Sequence, residues 1–173
     1  MPQFKAVFLD RDGVINRTYL RRGKQRAPQD MSEWAYVDGI QEVCALLRER
    51  GYLLLCCTNQ PDVARGWQAR EQVDEFHARI LAELPVARIY SCFHDDEPCE
   101  CRKPKPGMVL EGARDFDVDL SQSWLIGDRD KDIQAGRAAG VRCVYLRHPY
   151  DQEPSCAPDY EITQLDELRA IIL

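Results

Sequence analysis

Apolar and polar positions alternate with two different periods along the chain, and each change of period marks an element. Residues 4–9 (Phe-Lys-Ala-Val-Phe-Leu) form a short apolar run that reads as a buried strand. Ile40, Val43, Leu46 and Leu47 then recur at helical spacing, with Asp38 as the expected N-cap and Gly51 as the stop. Residues 52–57 are apolar throughout, a second strand that ends at Thr58-Asn59-Gln60. The stripe Val73, Phe76, Ile80, Leu81 and Leu84 predicts another helix, and His77 beside it reads as packing rather than chemistry. Further strands are expected at 86–91, 123–126 and 141–146, with helices at 107–116 and at 130–139, the latter closed by Gly140. A short extended piece at 160–163 and a last helix ending at Leu173 complete the pattern. Residues 17–36 follow neither period and are expected to be irregular.

Strands that alternate with helices at this spacing predict an α/β fold, a parallel sheet with helices on both faces. One domain over residues 1–173 is expected, since no interval between strands is long enough for a separate cap domain. A net charge of −6 argues against nucleic acid as a partner. No apolar run is long enough to span a bilayer and no leader pattern opens the chain, so a cytoplasmic protein without membrane contact is expected. The lack of an obvious exposed apolar stripe favours a monomer.

The candidate chemistry lies at predicted strand ends. Asp10 and Asp12 stand just beyond the first strand, with Gly13 after them. In an open parallel sheet that edge is where ligands bind. Two acids at i and i+2 suit a divalent cation together with a nucleophile and a proton carrier, although an ordinary acidic turn uses the same residues. Thr58 and Asn59 follow the second strand, Lys103 lies beyond the third and Asp128 follows the fourth. Together they form the set that phosphoryl transfer through an aspartyl-phosphate requires.

Of the eight cysteines, Cys44, Cys56, Cys57 and Cys143 fall in apolar patterns, where a thiol serves as a small hydrophobe. Cys92, Cys99 and Cys101 instead cluster with His94 in a polar loop, residues 92–101. Three thiolates and one imidazole make a closed, structural zinc set, the alternative being reduced thiols in a loop. The loop ends two residues before Lys103, so a metal clip there would aim Arg102 and Lys103.

Asp10-Arg11-Asp12-Gly13-Val14, Thr58, Lys103 and Gly127-Asp128-Arg129-Asp130-Lys131-Asp132, in that order, resemble the four motifs of the haloacid dehalogenase (HAD) superfamily of phosphatases. The cysteine loop running into Cys101-Arg102-Lys103-Pro104 is similar to its capless, zinc-containing branch. The resemblance implies a Rossmann-like HAD domain and a magnesium-dependent phosphoric monoester hydrolase acting on a small phosphorylated sugar. It implies Asp10 as nucleophile and Asp12 as general acid and base, with Thr58 and Lys103 completing the catalytic set. Magnesium would be held by Asp10, Asp12 through its carbonyl, and Asp128; zinc by Cys92, His94, Cys99 and Cys101. Asn59, Arg102 and Arg129 would contact substrate.

Within that branch the implied substrates are a heptose 1,7-bisphosphate and, as the alternative, histidinol phosphate. Residues 17–26 carry Arg17, Arg21, Arg22, Lys24 and Arg26 and no acid. The run reads as a solvated loop or as one reaching over the site to hold an anion. A second anionic group suits it better than the cationic end of histidinol phosphate. A catalytically silent, zinc-stabilised binding module is the reading from outside enzymology; a binding role gives no reason to keep both Asp10 and Asp12.

Overall fold

The computed structural model describes residues 4–95, 98–149, 151 and 153–172. Asp96 and Glu97 of the cysteine loop and the expected helix end at Leu173 lie outside them. Six parallel strands form the sheet: β1 (Lys5–Leu9), β4 (Tyr52–Asn59), β5 (Val86–Cys92), β6 (Trp124–Gly127), β7 (Arg142–Leu146) and β8 (Tyr160–Ile162), in the order β5-β4-β1-β6-β7-β8. The first strand is therefore central, with β4 on one side and β6 on the other. Leu9 registers with both Cys56 and Ile126, and the Asp10 amide continues the ladder by donating to the Ile126 carbonyl at 3.0 Å. The strand order reverses around β1, which places the ends of β1, β4 and β6 around one crevice.

Successive residues of β1 feed opposite faces, as the two-residue period requires. Val7 and Leu9 join a core with Ile40, Val43 and Leu47 of α1 (Ile40–Glu49) and with Phe76 and Ile80 of α3 (Arg70–Glu83). Ala6 and Phe8 join a second core with Met108 and Val109 of α4 (Gly107–Asp115) and Ile133 of α5 (Asp130–Ala139). Burial on both faces explains why the strands read as unbroken apolar runs. Among the described residues no helix is long and apolar enough to cross a membrane.

Several expectations need correction. Residues 17–36 are not wholly irregular: β2 (Tyr19–Arg21) and β3 (Lys24–Arg26) form an antiparallel hairpin. Its two-residue turn, Arg22-Gly23, has φ of 50° and 72°, the left-handed pair that matches strand twist. Asp38 does not cap α1; Gly39 does, at φ 83°, while the Asp38 carboxylate accepts from Arg17 at 2.6 Å. Leu81 leaves the apolar stripe of α3 and is 47% exposed, because it lies one residue, about 100° of helix, past Ile80. The short helix α2 (Pro61–Ala64) between β4 and α3 had no periodic signal. At the C-terminus the last helix, α6 (Leu168–Ile171), is a single turn that follows a 3-10 turn at Leu165–Glu167.

Candidate active site

The sheet edge gathers charge that is largely withdrawn from water. Asp10, Lys103, Asp128 and Asp132 are all buried. Lys103 Nζ lies 2.7 Å from Asp10 Oδ1 and 2.6 Å from Asp132 Oδ1, and it donates to the Cys57 carbonyl at 2.7 Å. Asp10, Asp128 and Asp132 can each place a carboxylate oxygen within 4.8 Å of the others. Lys103 and, 3.5 Å from Asp128, the half-exposed Arg129 face three buried acids, which leaves excess negative charge that a low-dielectric site does not tolerate unaided. Burial first, then the charge of Asp132, raise Asp10 to about 6 despite Lys103. Asp128 is likewise pushed up, by burial first and then by the charges of Asp10 and Asp132. Neither carboxylate oxygen of Asp128 accepts a hydrogen bond among the described residues. An all-oxygen cluster with two orphaned buried acceptors fits a hard divalent cation.

Gly13 makes that cluster possible. It adopts φ 97°, and a Cβ built on it would lie 2.0 Å from Asp128 Oδ2, so no side chain fits between the loop and the acid. The Gly13 carbonyl in turn accepts from His148 Nε2 at 2.9 Å.

Asp12 occupies a different environment. Its carboxylate accepts from Arg11 Nη2 (2.9 and 3.0 Å), Asn16 Nδ2 (2.9 Å) and Gln60 Nε2 (2.7 Å). Burial would raise its pKa, but the Arg11 charge and these hydrogen bonds outweigh burial and hold Asp12 below the usual carboxylate range. Arg11 is fully buried and also donates to His77 Nε2 at 3.2 Å, so His77 packs where expected but as the second partner of a buried guanidinium.

Thr58 is buried, and its Oγ1 accepts from Gln60 Nε2 at 2.8 Å, which leaves its own hydroxyl proton to give. Asn59 exchanges two 3.0 Å hydrogen bonds with the Lys103 main chain, so its amide ties the end of β4 to the lysine loop. Arg102 and Arg129 line the same cleft as Asp10, Asp12 and Asn59, a cavity of about 270 Å³. The residues missed from sequence are Gln60 and His148; Asp132, which the sequence places in the fourth motif as a partner of metal-bound water, is in addition the second partner of Lys103. Asp132 carried a signal: it stands two residues after Asp130 at the start of a helix and takes the Arg129 amide as a cap, at 3.0 Å.

The cysteine loop converges as expected. Cys92, His94, Cys99 and Cys101 bring their ligand atoms within 4.8 Å of one another. Cys92 Sγ lies 3.8 Å from Cys99 Sγ and 3.5 Å from His94 Nδ1, and Cys101 Sγ lies 3.3 Å from His94 Nδ1. Donors around one tetrahedral ion sit roughly 3.5–3.8 Å apart. Two edges at Cys101 are tighter, the 3.3 Å one to His94 and one of 2.9 Å to Cys92. Three thiols and an imidazole so arranged can hold a metal ion. Gly107 closes the loop against α4, since a Cβ there would meet the Glu100 carbonyl at 2.1 Å.

A crevice at the reversal point of a parallel sheet, with a buried aspartate, a lysine and a cation-seeking acid cluster, defines a class of hydrolase that works on phosphate esters. Comparison with known proteins agrees. A HAD-hydrolase-like family model matches residues 100–168. The D-glycero-alpha-D-manno-heptose-1,7-bisphosphate 7-phosphatase of Campylobacter jejuni is 38% identical over 149 residues, covering 82% of this chain and 81% of the relative. The corresponding beta-heptose enzyme of Yersinia pestis is 32% identical, covering 94% and 92%. A solved D,D-heptose 1,7-bisphosphate phosphatase from B. bronchiseptica, complexed with magnesium and phosphate, superimposes with a TM-score of 0.83 at 28% identity and 98% coverage of both chains. The chain belongs to the haloacid dehalogenase superfamily, within the family of heptose bisphosphate phosphatases. It is a phosphoric monoester hydrolase, a sugar-phosphate phosphatase.

Proposed function

We propose that this chain removes the 7-phosphate of a D-glycero-D-manno-heptose 1,7-bisphosphate through an aspartyl-phosphate on Asp10, as one domain, with magnesium at the acid cluster and zinc in the cysteine loop. The observation that carries the chemistry is the buried trio Asp10, Asp128 and Asp132 crowded around Lys103, with Arg129 3.5 Å from Asp128, an excess of acids that a bound cation would balance. Asp10, the Asp12 carbonyl and Asp128 would hold magnesium, which when bound offsets the charge on the phosphoryl oxygens and lowers the Asp10 pKa.

Asp10 attacks phosphorus, a new P–O bond forms to its carboxylate, and the bond to the sugar oxygen breaks. Asp12 gives that oxygen a proton. In the resting site Asp12 is ionised; the arriving phosphate, by adding negative charge beside it, raises its proton affinity, so it takes a proton from solvent before passing it to the leaving oxygen. Asp12 then takes a proton from the water that attacks phosphorus, and Asp10 is released. Lys103 and the Thr58 hydroxyl face the transferring oxygens, and Arg102 and Arg129 hold the phosphate from the cleft wall. A four-coordinate zinc on Cys92, His94, Cys99 and Cys101 leaves no open position, so its work is to fix the loop that carries Arg102 and Lys103. Eight cysteines, three of them proposed as zinc ligands and none in a disulfide among the described residues, suit a reducing compartment, which supports action in the cytoplasm.

Steady-state kinetics with heptose 1,7-bisphosphate, fructose 1,6-bisphosphate and histidinol phosphate tests this reading. The heptose substrate should show the highest kcat/KM, and a preference for histidinol phosphate would overturn the substrate assignment.

A further inference from the structure

The cleft does not end at the phosphoryl site. Arg26, Ala27 and Asp62 wall both it and a second cavity of about 350 Å³, which is also lined by Arg22 and Trp67. Three arginines meet at this junction, and their donors are committed differently. Arg65 gives Nε and Nη2 to Asp95 at 2.6 and 2.5 Å and Nη1 to Asp62 at 3.1 Å. Arg102 gives Nη1 to the His94 carbonyl at 2.5 Å. Arg26 stands 3.8 Å from the Asp62 carboxylate, beyond hydrogen-bond reach. Its guanidinium lies 5.2 Å from the Trp67 ring centre, and among the described residues nothing accepts a hydrogen bond from it.

Arg26 is nevertheless held in place. Gln68 Nε2 donates to the Pro28 and Gln29 carbonyls at 2.9 and 3.3 Å, pinning the exit of the hairpin to the connection before α3. Trp67 is 60% exposed, an unusual cost for an indole unless its face is used. A guanidinium oriented on an aromatic face with its planar fork uncommitted is prepared for a phosphate-like anion, and most of the ordering cost is met before binding.

We propose that Arg26, backed by Trp67 and assisted by Arg22, binds the second anionic group of a bisphosphorylated sugar and sets the preference for bisphosphate over monophosphate. The inference rests on the sugar-bisphosphate reading above. The test compares kcat and KM for heptose 1,7-bisphosphate and heptose 7-phosphate in the wild type, Arg26→Ala, Arg26→Lys and Trp67→Ala. For Arg26→Ala, KM for the bisphosphate should rise about tenfold or more, the order of one charge-assisted hydrogen bond. Its kcat should stay within about threefold, and KM for the monophosphate should not move. Arg26→Lys should recover part of the bisphosphate KM, and Trp67→Ala should give a smaller shift of the same kind.

Equal KM changes on both substrates, or none, would overturn the inference and leave the phosphatase reading intact. A wild type with no preference for the bisphosphate would remove the substrate reading and this subsite together.

Discussion

Two clusters of side chains that could hold a metal ion stand at the same edge of the sheet, and they are assembled in opposite ways. Cys92, His94, Cys99 and Cys101 come from one short stretch of chain at the end of β5. Asp10 and Asp128 come from opposite ends of the sequence and meet only because β1 and β6 are neighbours. The thiol cluster is a local device that can be lost while the sheet stands. The carboxylate cluster is a property of the whole fold, and its charge imbalance is built into the core. Damage to the first should therefore be graded, and damage to the second close to all-or-none.

The largest effect is expected at Asp10, the proposed nucleophile. Asp10→Asn should lower kcat by roughly three orders of magnitude or more while the far-ultraviolet circular dichroism stays native. Retained turnover would break the contrast at its root. Next, Cys101→Ser, or treatment with a zinc chelator, should lower activity by about tenfold and release metal measurable by mass spectrometry. The β-sheet signal should survive; global unfolding on metal loss would show that the local cluster is not separable after all.

Asp128→Asn sharpens the comparison through stability. It replaces an acid that burial, Asp10 and Asp132 disfavour with a neutral amide of the same shape, so in magnesium-free buffer the melting temperature should rise by a few degrees, on the order of 1–2 kcal/mol. Magnesium should stabilise the wild type and not the variant. A variant less stable than the wild type without magnesium would refute the charge argument.

The smallest effect concerns His77. Burial, then the Arg11 guanidinium, depress it to about 4. An unfolded imidazole binds its proton near 6.5, so between those values the unfolded state holds more protons than the native one. Stability present above about pH 6.5 is thus lost as pH falls toward 4. His77→Gln should flatten that part of the urea-midpoint profile, and an unchanged slope would remove His77 as its source.

What was legible in the sequence follows the same division. The positions of Asp10, Thr58, Lys103 and Asp128 at one sheet edge were legible because each ends a strand or follows a strand or its loop, so an apolar run announces the position. The cysteine loop was found because its donors are close in sequence. The partners that complete the site were not legible. Gln60 reaches Asp12 across 48 residues, and His148 reaches Gly13 across 135, contacts that only the folded sheet creates. The hairpin at residues 19–26 was missed because a polar, two-sided ribbon has no buried face to impress a period on the sequence. The one signal was Gly23 in a two-residue turn.

The contact between Gly13 and Asp128 offers an experimental tool. A single methyl group at position 13 would displace a buried acid while every reacting side chain kept its identity. Gly13→Ala would then be a switched-off enzyme whose cleft rim is untouched, suited to equilibrium binding of intact bisphosphates. Such a variant would let recognition be measured on the true substrate rather than on an analogue, with turnover silenced from behind the catalytic loop.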